Sequence, residues 1–214
     1  MADEQHDAEV VEDAPEEERL DPALAARRAG ALAHVRKYGD PVLRSKARPI
    51  QVFDDTLREE VARMGALMHD SMGIGLAGTQ VGALRRVLVY RVEQDSPINA
   101  LVNPEIEWSG REKEWMEEGC LSLPGVHVDV ERPVRVRVRA QDPRGERIVI
   151  EASGLEARVI QHEIDHLDGV LILDRTTRSQ RKGALRALRE GGSYSPEEHE
   201  PAAEGELREP RTDA

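Results

Sequence analysis

The 214-residue sequence has one cysteine, few aromatic residues and no long apolar segment. The single cysteine, Cys120, excludes an internal disulfide and suits a reducing compartment. Because no run of 18 or more apolar residues is present, we expect no transmembrane helix and no membrane partner. Residues 1–18 contain nine acidic residues and no lysine or arginine, which argues against a secretory signal and a transit peptide. These absences predict a cytoplasmic protein.

The acidity of the chain is concentrated at its two ends. Of the net charge of −12, residues 1–18 contribute −9 and residues 190–214 contribute −6, which leaves +3 for residues 19–189. Segments with high charge and few apolar residues cannot bury enough surface to fold. We therefore predict a disordered acidic tail at residues 1–30, a folded domain at residues 31–191, and a second disordered acidic tail at residues 192–214.

Hydrophobic periodicity predicts helices combined with mostly antiparallel strands. Helices are expected at residues 55–72, 155–167 and 179–189. Strands are expected at residues 86–90, 100–104, 132–139 and 148–150, and the second pair is expected to form a hairpin. The predicted fold class is α+β, with mostly antiparallel sheets packed around a central helix at residues 155–167.

That central helix contains the segment His162-Glu163-Ile164-Asp165-His166. Histidines four residues apart lie on one helix face and can hold one metal ion, and an intervening glutamate can serve as a general base. Such a pattern also arises by chance on surface helices. One metallopeptidase pattern needs a third histidine at residue 172, but Ile172 cannot ligate a metal.

Cys120 is the candidate third metal ligand. A thiolate with two imidazoles suits Zn, Fe(II), Ni or Co, and three protein ligands leave one position open for catalysis. The alternative is that Cys120 is a small buried apolar residue.

Three segments together resemble the peptide deformylase family of bacterial type: residues 73–80 (GIGLAGTQ), 118–122 (EGCLS) and 161–166 (QHEIDH). Residues 38–44 (YGDPVLR) resemble the start of the family domain, and the resemblance covers about residues 34–175. One departure is Gly78, where the family usually has alanine, and we expect its effect to be minor. Many members also carry a basic residue near His127 that helps to hold the substrate.

The resemblance implies a metal-dependent hydrolase that removes the N-formyl group from the formyl-methionine of newly synthesised proteins and releases formate. It implies Fe(II) as the metal, with Zn, Ni or Co possible on the same ligands. The implied ligands are Cys120, His162 and His166. Glu163 is the implied general base, and Gln80 with the Leu121 backbone N–H is the implied oxyanion stabiliser. The implied substrate-binding residues are Ile74, Gly75, Gly119, Leu155 and Val159.

The resemblance also implies that Asp165 pairs with Arg132 and that the partners are nascent formyl-methionyl polypeptides. The basic helix at residues 179–189 could contact ribosomal RNA weakly. The alternative interpretation, a solvated amphipathic helix with no RNA contact, has equal support. A monomer is expected. Two other functions stay open from the residues alone: a metallopeptidase that uses the same helix, and a non-enzymatic metal-binding or ribosome-associated module.

Overall fold

A computed structural model describes residues 21–93 and 95–196. Four α-helices are present within them: α1 (Pro22–Leu32), α2 (Asp55–Asp70), α3 (Gly154–Leu167) and α4 (Arg178–Glu190). Seven strands are present: β1 (Gly75–Ala77), β2 (Val87–Tyr90), β3 (Asn99–Ser109), β4 (Lys113–Cys120), β5 (Leu123–Pro133), β6 (Arg135–Gln141) and β7 (Arg147–Ser153). Short 3₁₀ turns occupy Pro41–Arg44, Gly78–Val81 and Ile172–Asp174.

The strands form two antiparallel sheets. The larger sheet has the order β1-β2-β3-β6-β7, and β4 pairs with β5 in a separate two-stranded sheet. The predicted hairpin is present, since β6 pairs with β7 through a turn in which Asp142 accepts hydrogen bonds from Arg144 N and Glu146 N. The predicted mixture of helices with mostly antiparallel strands is thus confirmed.

Strand β2 is buried on both faces because helices cover both sides of the large sheet. Leu88 and Tyr90 belong to the apolar cluster that contains Val159 and Ile160 of α3. Val87 and Val89 point the other way, into the cluster that contains Met64 and Met68 of α2. This arrangement buries one face of α3 against the sheet, which fixes the position of the histidine-bearing helix.

The predicted strand at residues 132–139 is wrong in one respect, because the chain changes sheets within it. Pro133 ends β5 in the small sheet, and Arg135 begins β6 in the large sheet. Pro133 has no N–H with which to continue a ladder, so β5 ends there. Beyond it the alternation is as predicted, with Val136 and Val138 buried and the arginines between them exposed.

The predicted boundary of the N-terminal tail at residue 30 is also wrong, because residues 22–32 form α1. The Asp21 carboxylate caps this helix by accepting from Ala23 N (2.9 Å) and Leu24 N (3.3 Å), and Pro22 occupies its first turn. Arg27 Nε then lies 3.0 Å from Asp70 Oδ1 at the end of α2. Residues 1–20 of the predicted tail lie outside the described residues.

At the C-terminal end, residues 192–196 are likewise part of the folded structure, contrary to prediction. Tyr194 N donates to Gly125 O (2.8 Å), and His127 N donates to Tyr194 O (2.7 Å), so this segment pairs with the outer edge of β5. On the same edge Asp129 N donates to Gln180 Oε1 of α4 (2.7 Å). The rest of the predicted tail, residues 197–214, lies outside the described residues.

No helix among the described residues is both long and apolar enough to cross a bilayer.

Candidate metal centre and active-site cleft

Helix α3 carries His162 and His166 on one face, one turn apart. Their ring centroids lie 5.0 Å apart in an edge-to-face arrangement. His166 is buried and His162 is partly buried, because this face of α3 lies beneath the small sheet. The local spacing of the two histidines was sufficient to predict this arrangement.

Cys120, at the end of β4, lies directly opposite these histidines. A register irregularity between Gly119 and Cys120 ends the β4–β5 ladder at this point. The Cys120 Sγ atom lies 3.2 Å from His166 Nε2, and ligand atoms of Cys120, His162 and His166 all fall within 4.8 Å of one another. Thiolate and imidazole are donors that Fe(II), Zn, Ni and Co accept, so this cluster fits a divalent metal ion.

The electrostatics of the cluster favour the ligand form of the cysteine. Burial alone would raise the pKa of the Cys120 thiol, but the charges and hydrogen bonds of His166 and His162 outweigh it. The pKa of the thiol is therefore well below its usual range. A thiolate is the form of cysteine that binds metals.

Glu163 lies beside the cluster with an available carboxylate. It is 3% exposed, and its Oε2 atom is buried with no hydrogen-bond partner among the described residues. Burial raises the pKa of Glu163 above its usual value. A buried carboxylate with a raised pKa is suited to accepting a proton.

Glu118 holds His162 in place and is the main residue that the sequence analysis missed. His162 Nδ1 donates to Glu118 Oε2 (3.0 Å), which leaves the other ring nitrogen for a metal. Arg132 Nε and Nη2 donate to the two Glu118 oxygens (2.6 and 2.9 Å), and Arg158 Nη1 donates to Oε1 (2.7 Å). Glu118 and Cys120 are two residues apart on β4, and residues two apart on a strand face the same side. The sequence could therefore have indicated that Glu118 lies beside the metal ligands.

The predicted pairing of Asp165 with Arg132 is confirmed. Arg132 Nη1 donates to Asp165 Oδ2 (2.8 Å), and Arg175 donates to both oxygens of the same carboxylate (2.5 and 3.1 Å). The pKa of Glu118 lies below its usual value, because the hydrogen bonds and charges of His162 and Arg132 outweigh its burial. The network therefore keeps the carboxylate behind His162 ionised.

Gln80 and Leu121 both lie beside Cys120. Gln80 Oε1 accepts from Ala77 N (2.8 Å), which directs its Nε2 toward Cys120 Sγ (3.8 Å) and Ser122 Oγ (3.4 Å). The Leu121 carbonyl accepts from Lys37 Nζ (2.9 Å), a contact with no local sequence signal since 84 residues separate the partners. Gln80 and Leu121 both line the cleft beside Cys120.

A cleft of about 420 Å³ opens onto the three candidate metal ligands. Its walls include Cys120, His162 and Glu163, and they include all five predicted substrate-binding residues: Ile74, Gly75, Gly119, Leu155 and Val159. The structure therefore brings the predicted site residues together. His127 also lines the cleft, with its ring 2.8 Å from where a Cβ at Gly119 would lie.

Gly75 and Gly78 of the 73–78 loop each lack room for a side chain, but for different reasons. A Cβ at Gly75 would collide with the Glu163 carboxylate, so this position keeps the general-base candidate accessible. A Cβ at Gly78 would lie 2.6 Å from Arg85 O, a backbone atom. The expectation that Gly78 is a minor departure is therefore wrong for this chain, because the 83–87 backbone packs too closely for alanine.

Comparison with known proteins agrees with this geometry. A family model described as polypeptide deformylase matches residues 32–182. The chain is 50% identical over 140 residues to a peptide deformylase of Picosynechococcus sp., covering 64% of this chain and 75% of that protein. It is 44% identical over 160 residues to one of Acidothermus cellulolyticus, covering 75% and 87%.

Solved structures agree as well. A peptide deformylase of Synechococcus elongatus in complex with actinonin has a TM-score of 0.70 and 40% identity, with 74% of this chain and 88% of that chain covered. A peptide deformylase of Thermotoga maritima has a TM-score of 0.65 and 45% identity, with 67% and 96% covered.

Proposed function

This chain belongs to the polypeptide deformylase family, and from that premise we propose that Cys120, His162 and His166 hold its metal ion and that Glu163 moves the protons of the reaction. The enzyme is a metal-dependent hydrolase that removes the N-formyl group from the formyl-methionine of newly synthesised proteins and releases formate. The observation that carries the residue assignment is the set of three ligand atoms within 4.8 Å of one another, beside a buried Glu163 Oε2 atom that has no hydrogen-bond partner in the described part of the chain.

A divalent ion held by these ligands would act as a Lewis acid and would lower the pKa of water enough for it to react near neutral pH. The chain's own residues supply the rest. Hydrolysis joins a hydroxyl group to the formyl carbon and breaks the carbon–nitrogen bond. Glu163 accepts the proton of the attacking water and delivers it to the methionine nitrogen, which leaves as a free amine.

Gln80 and Leu121 stabilise the negative charge that develops on the formyl oxygen. The Gln80 side-chain amide is fixed by its own bond to Ala77 N, so it donates without first reorganising. The Leu121 backbone N–H is the second donor. Removing one such donor typically slows an enzyme by roughly 10²–10³-fold.

The apolar part of the cleft binds the methionine side chain. Val159 is buried, while Ile74 and Leu155 are each nearly half exposed, so these walls combine core packing with access from solvent. Gly75 and Gly119 let the substrate backbone approach closely, because neither presents a side chain. Ile74 and Gly75 are expected to pair with that backbone as a neighbouring strand does.

We predict that the native metal is Fe(II). Protein purified without oxygen should contain iron by elemental analysis, and peroxide should inactivate it by oxidising the metal or the Cys120 thiolate. The same protein loaded with zinc or nickel is the control and should survive peroxide longer. Iron-free protein with full activity after aerobic storage would contradict this prediction.

We further propose that the protein is a cytoplasmic monomer. The exposed basic residues of α4 are Arg178, Arg181, Lys182, Arg186 and Arg189, and we call them the α4 basic face. Contact between this face and ribosomal RNA would be weak and electrostatic, and the negative charge of residues 1–20 and 197–214 would oppose it.

We predict that removing residues 1–20 and 197–214 strengthens binding to ribosomes at low salt. If all five charges contact phosphates, the affinity measured by co-sedimentation should fall by roughly a hundredfold between about 50 and 200 mM salt. Charge reversal at Lys182 and Arg186 should abolish the gain, whereas reversal at the exposed control pair Arg111 and Arg144 should not. If all forms pelleted equally and salt had no effect, the α4 basic face would not contact the ribosome.

A further inference from the structure

Residues 36–38 form a short link between two segments of the active-site cleft. Arg36 N donates to Gln80 O (2.7 Å), and Tyr38 N donates to Ser122 O (2.8 Å). Gln80 and Ser122 are 42 residues apart in the sequence, and their side chains also meet, with Gln80 Nε2 3.4 Å from Ser122 Oγ. The link therefore fixes the two segments that carry the proposed oxyanion donors relative to each other.

The side chain of Lys37 adds a charge to this link. Lys37 is partly buried, and its Nζ atom donates to the Leu121 carbonyl (2.9 Å). That carbonyl belongs to the same peptide group as the N–H of Ser122, and Ser122 N donates to Cys120 Sγ (3.4 Å). One peptide group thus accepts a hydrogen bond from an ammonium at its oxygen and donates one from its nitrogen to the candidate metal-binding sulfur.

Hydrogen bonds that are connected in this way polarise one another. An ammonium at the carbonyl oxygen draws electrons toward that oxygen and makes the N–H of the same peptide group a stronger donor. Burial lowers the pKa of Lys37, the charge of Cys120 raises it and that of Arg28 lowers it, so Lys37 and the sulfur are close enough to interact electrostatically. A thiolate that accepts a stronger hydrogen bond donates fewer electrons to a metal ion.

We propose that Lys37 is a positioning residue of the metal centre, which acts through the Leu121–Ser122 peptide group to hold and strengthen the hydrogen bond to the Cys120 sulfur. This inference rests on the proposed assignment of Cys120 as a metal ligand. Lys37 does not line the cleft, so it has no direct part in binding the substrate. Its effect is on the rate of the chemical step, because a less electron-rich thiolate leaves a bound ion a stronger Lewis acid.

The test is the variant Lys37→Met, which keeps an unbranched side chain of similar length and removes its charge. In cobalt-loaded protein, the sulfur-to-cobalt charge-transfer absorption should move to longer wavelength, because a thiolate with a weaker hydrogen bond gives up electrons more easily. In formate release, kcat should fall by about tenfold with KM nearly unchanged, the lower end of the effect of losing a partner behind a metal ligand. Lys37→Arg keeps a cationic donor and should restore both the absorption and kcat.

Lys46→Met is the matched control, because it makes the same substitution at an exposed lysine that lies 3.9 Å from Asp168. It should keep the wild-type absorption and kcat. If Lys37→Met does not fold, Lys37→Gln replaces it, with the same shift expected from the loss of charge.

Three results would overturn the inference: no shift in absorption on loss of the Lys37 charge, an equal shift in the Lys46 variant, or no recovery in Lys37→Arg. Wild-type protein that binds cobalt without any sulfur-to-cobalt absorption would overturn the assignment of Cys120 as a ligand. Normal absorption without any formate release would instead overturn the proposed function.

Discussion

Replacing Glu163 with glutamine should abolish formate release while leaving the metal content unchanged. The carboxamide has nearly the same shape but cannot accept the proton of the attacking water. Loss of a general acid–base group typically costs about 10²–10⁴-fold in rate. Glu163 lies beside the ligand cluster, and its Oε2 atom has no hydrogen-bond partner among the described residues, so its loss breaks no structural bond to that atom.

The measurement is formate release from a formyl-methionyl peptide, with elemental analysis of the same preparation. Glu156→Gln is the matched control: it lies on the same helix, and its bond from Tyr90 OH (2.9 Å) needs only an acceptor, which glutamine keeps. That variant should retain activity. A Glu163 variant that is pure but lacks metal would show that Glu163 is a ligand, and a variant with wild-type turnover would exclude it as the base.

Replacing Cys120 with serine should remove both metal and activity. A hydroxyl is a far poorer ligand than a thiolate for Fe(II), Zn, Ni or Co. Loss of a partner behind a metal ligand already costs about 10–100-fold in metal affinity, and loss of the ligand itself should cost more. Metal content after dialysis against a chelator, together with formate release, gives the result directly.

Because Cys120 is the only cysteine, thiol alkylation offers an independent check on its role. Metal-loaded wild-type protein should resist alkylation, and metal-free protein should react readily as its lowered thiol pKa predicts. Equal alkylation of the two forms, or a serine variant that keeps its metal, would remove Cys120 from the metal site.

The sequence predicted the parts of the site that are local in the chain. His162 and His166 needed only helical periodicity, and the helix at residues 155–167 was predicted to within one residue. Cys120 was chosen by its chemistry and by resemblance, because nothing in the 41 residues between Cys120 and His162 specifies how far apart the two side chains lie in space. Pairing between distant strands decides that separation.

The interactions that the sequence did not predict connect distant residues. Glu118 binds Arg132, Arg158 and His162 at separations of 14, 40 and 44 residues. Local periodicity carries no information at such distances. Helix α1 and the segment around Tyr194 were assigned to tails because both adjoin strongly acidic stretches, and composition averaged across them concealed Asp21 as a cap and Tyr194 as an anchor.

The attachment of Tyr194 to β5 also bears on how the protein avoids self-association. An unpaired strand edge is a template for strands of other molecules, and β5 would present one on the side away from β4. Tyr194 covers that edge at His127, and Gln180 covers it at Asp129. Proteolysis after residue 196 would leave this cover intact, whereas cleavage after residue 191 would expose a strand next to the catalytic cleft to intermolecular pairing. We therefore expect C-terminal truncation to lower solubility once it removes Tyr194.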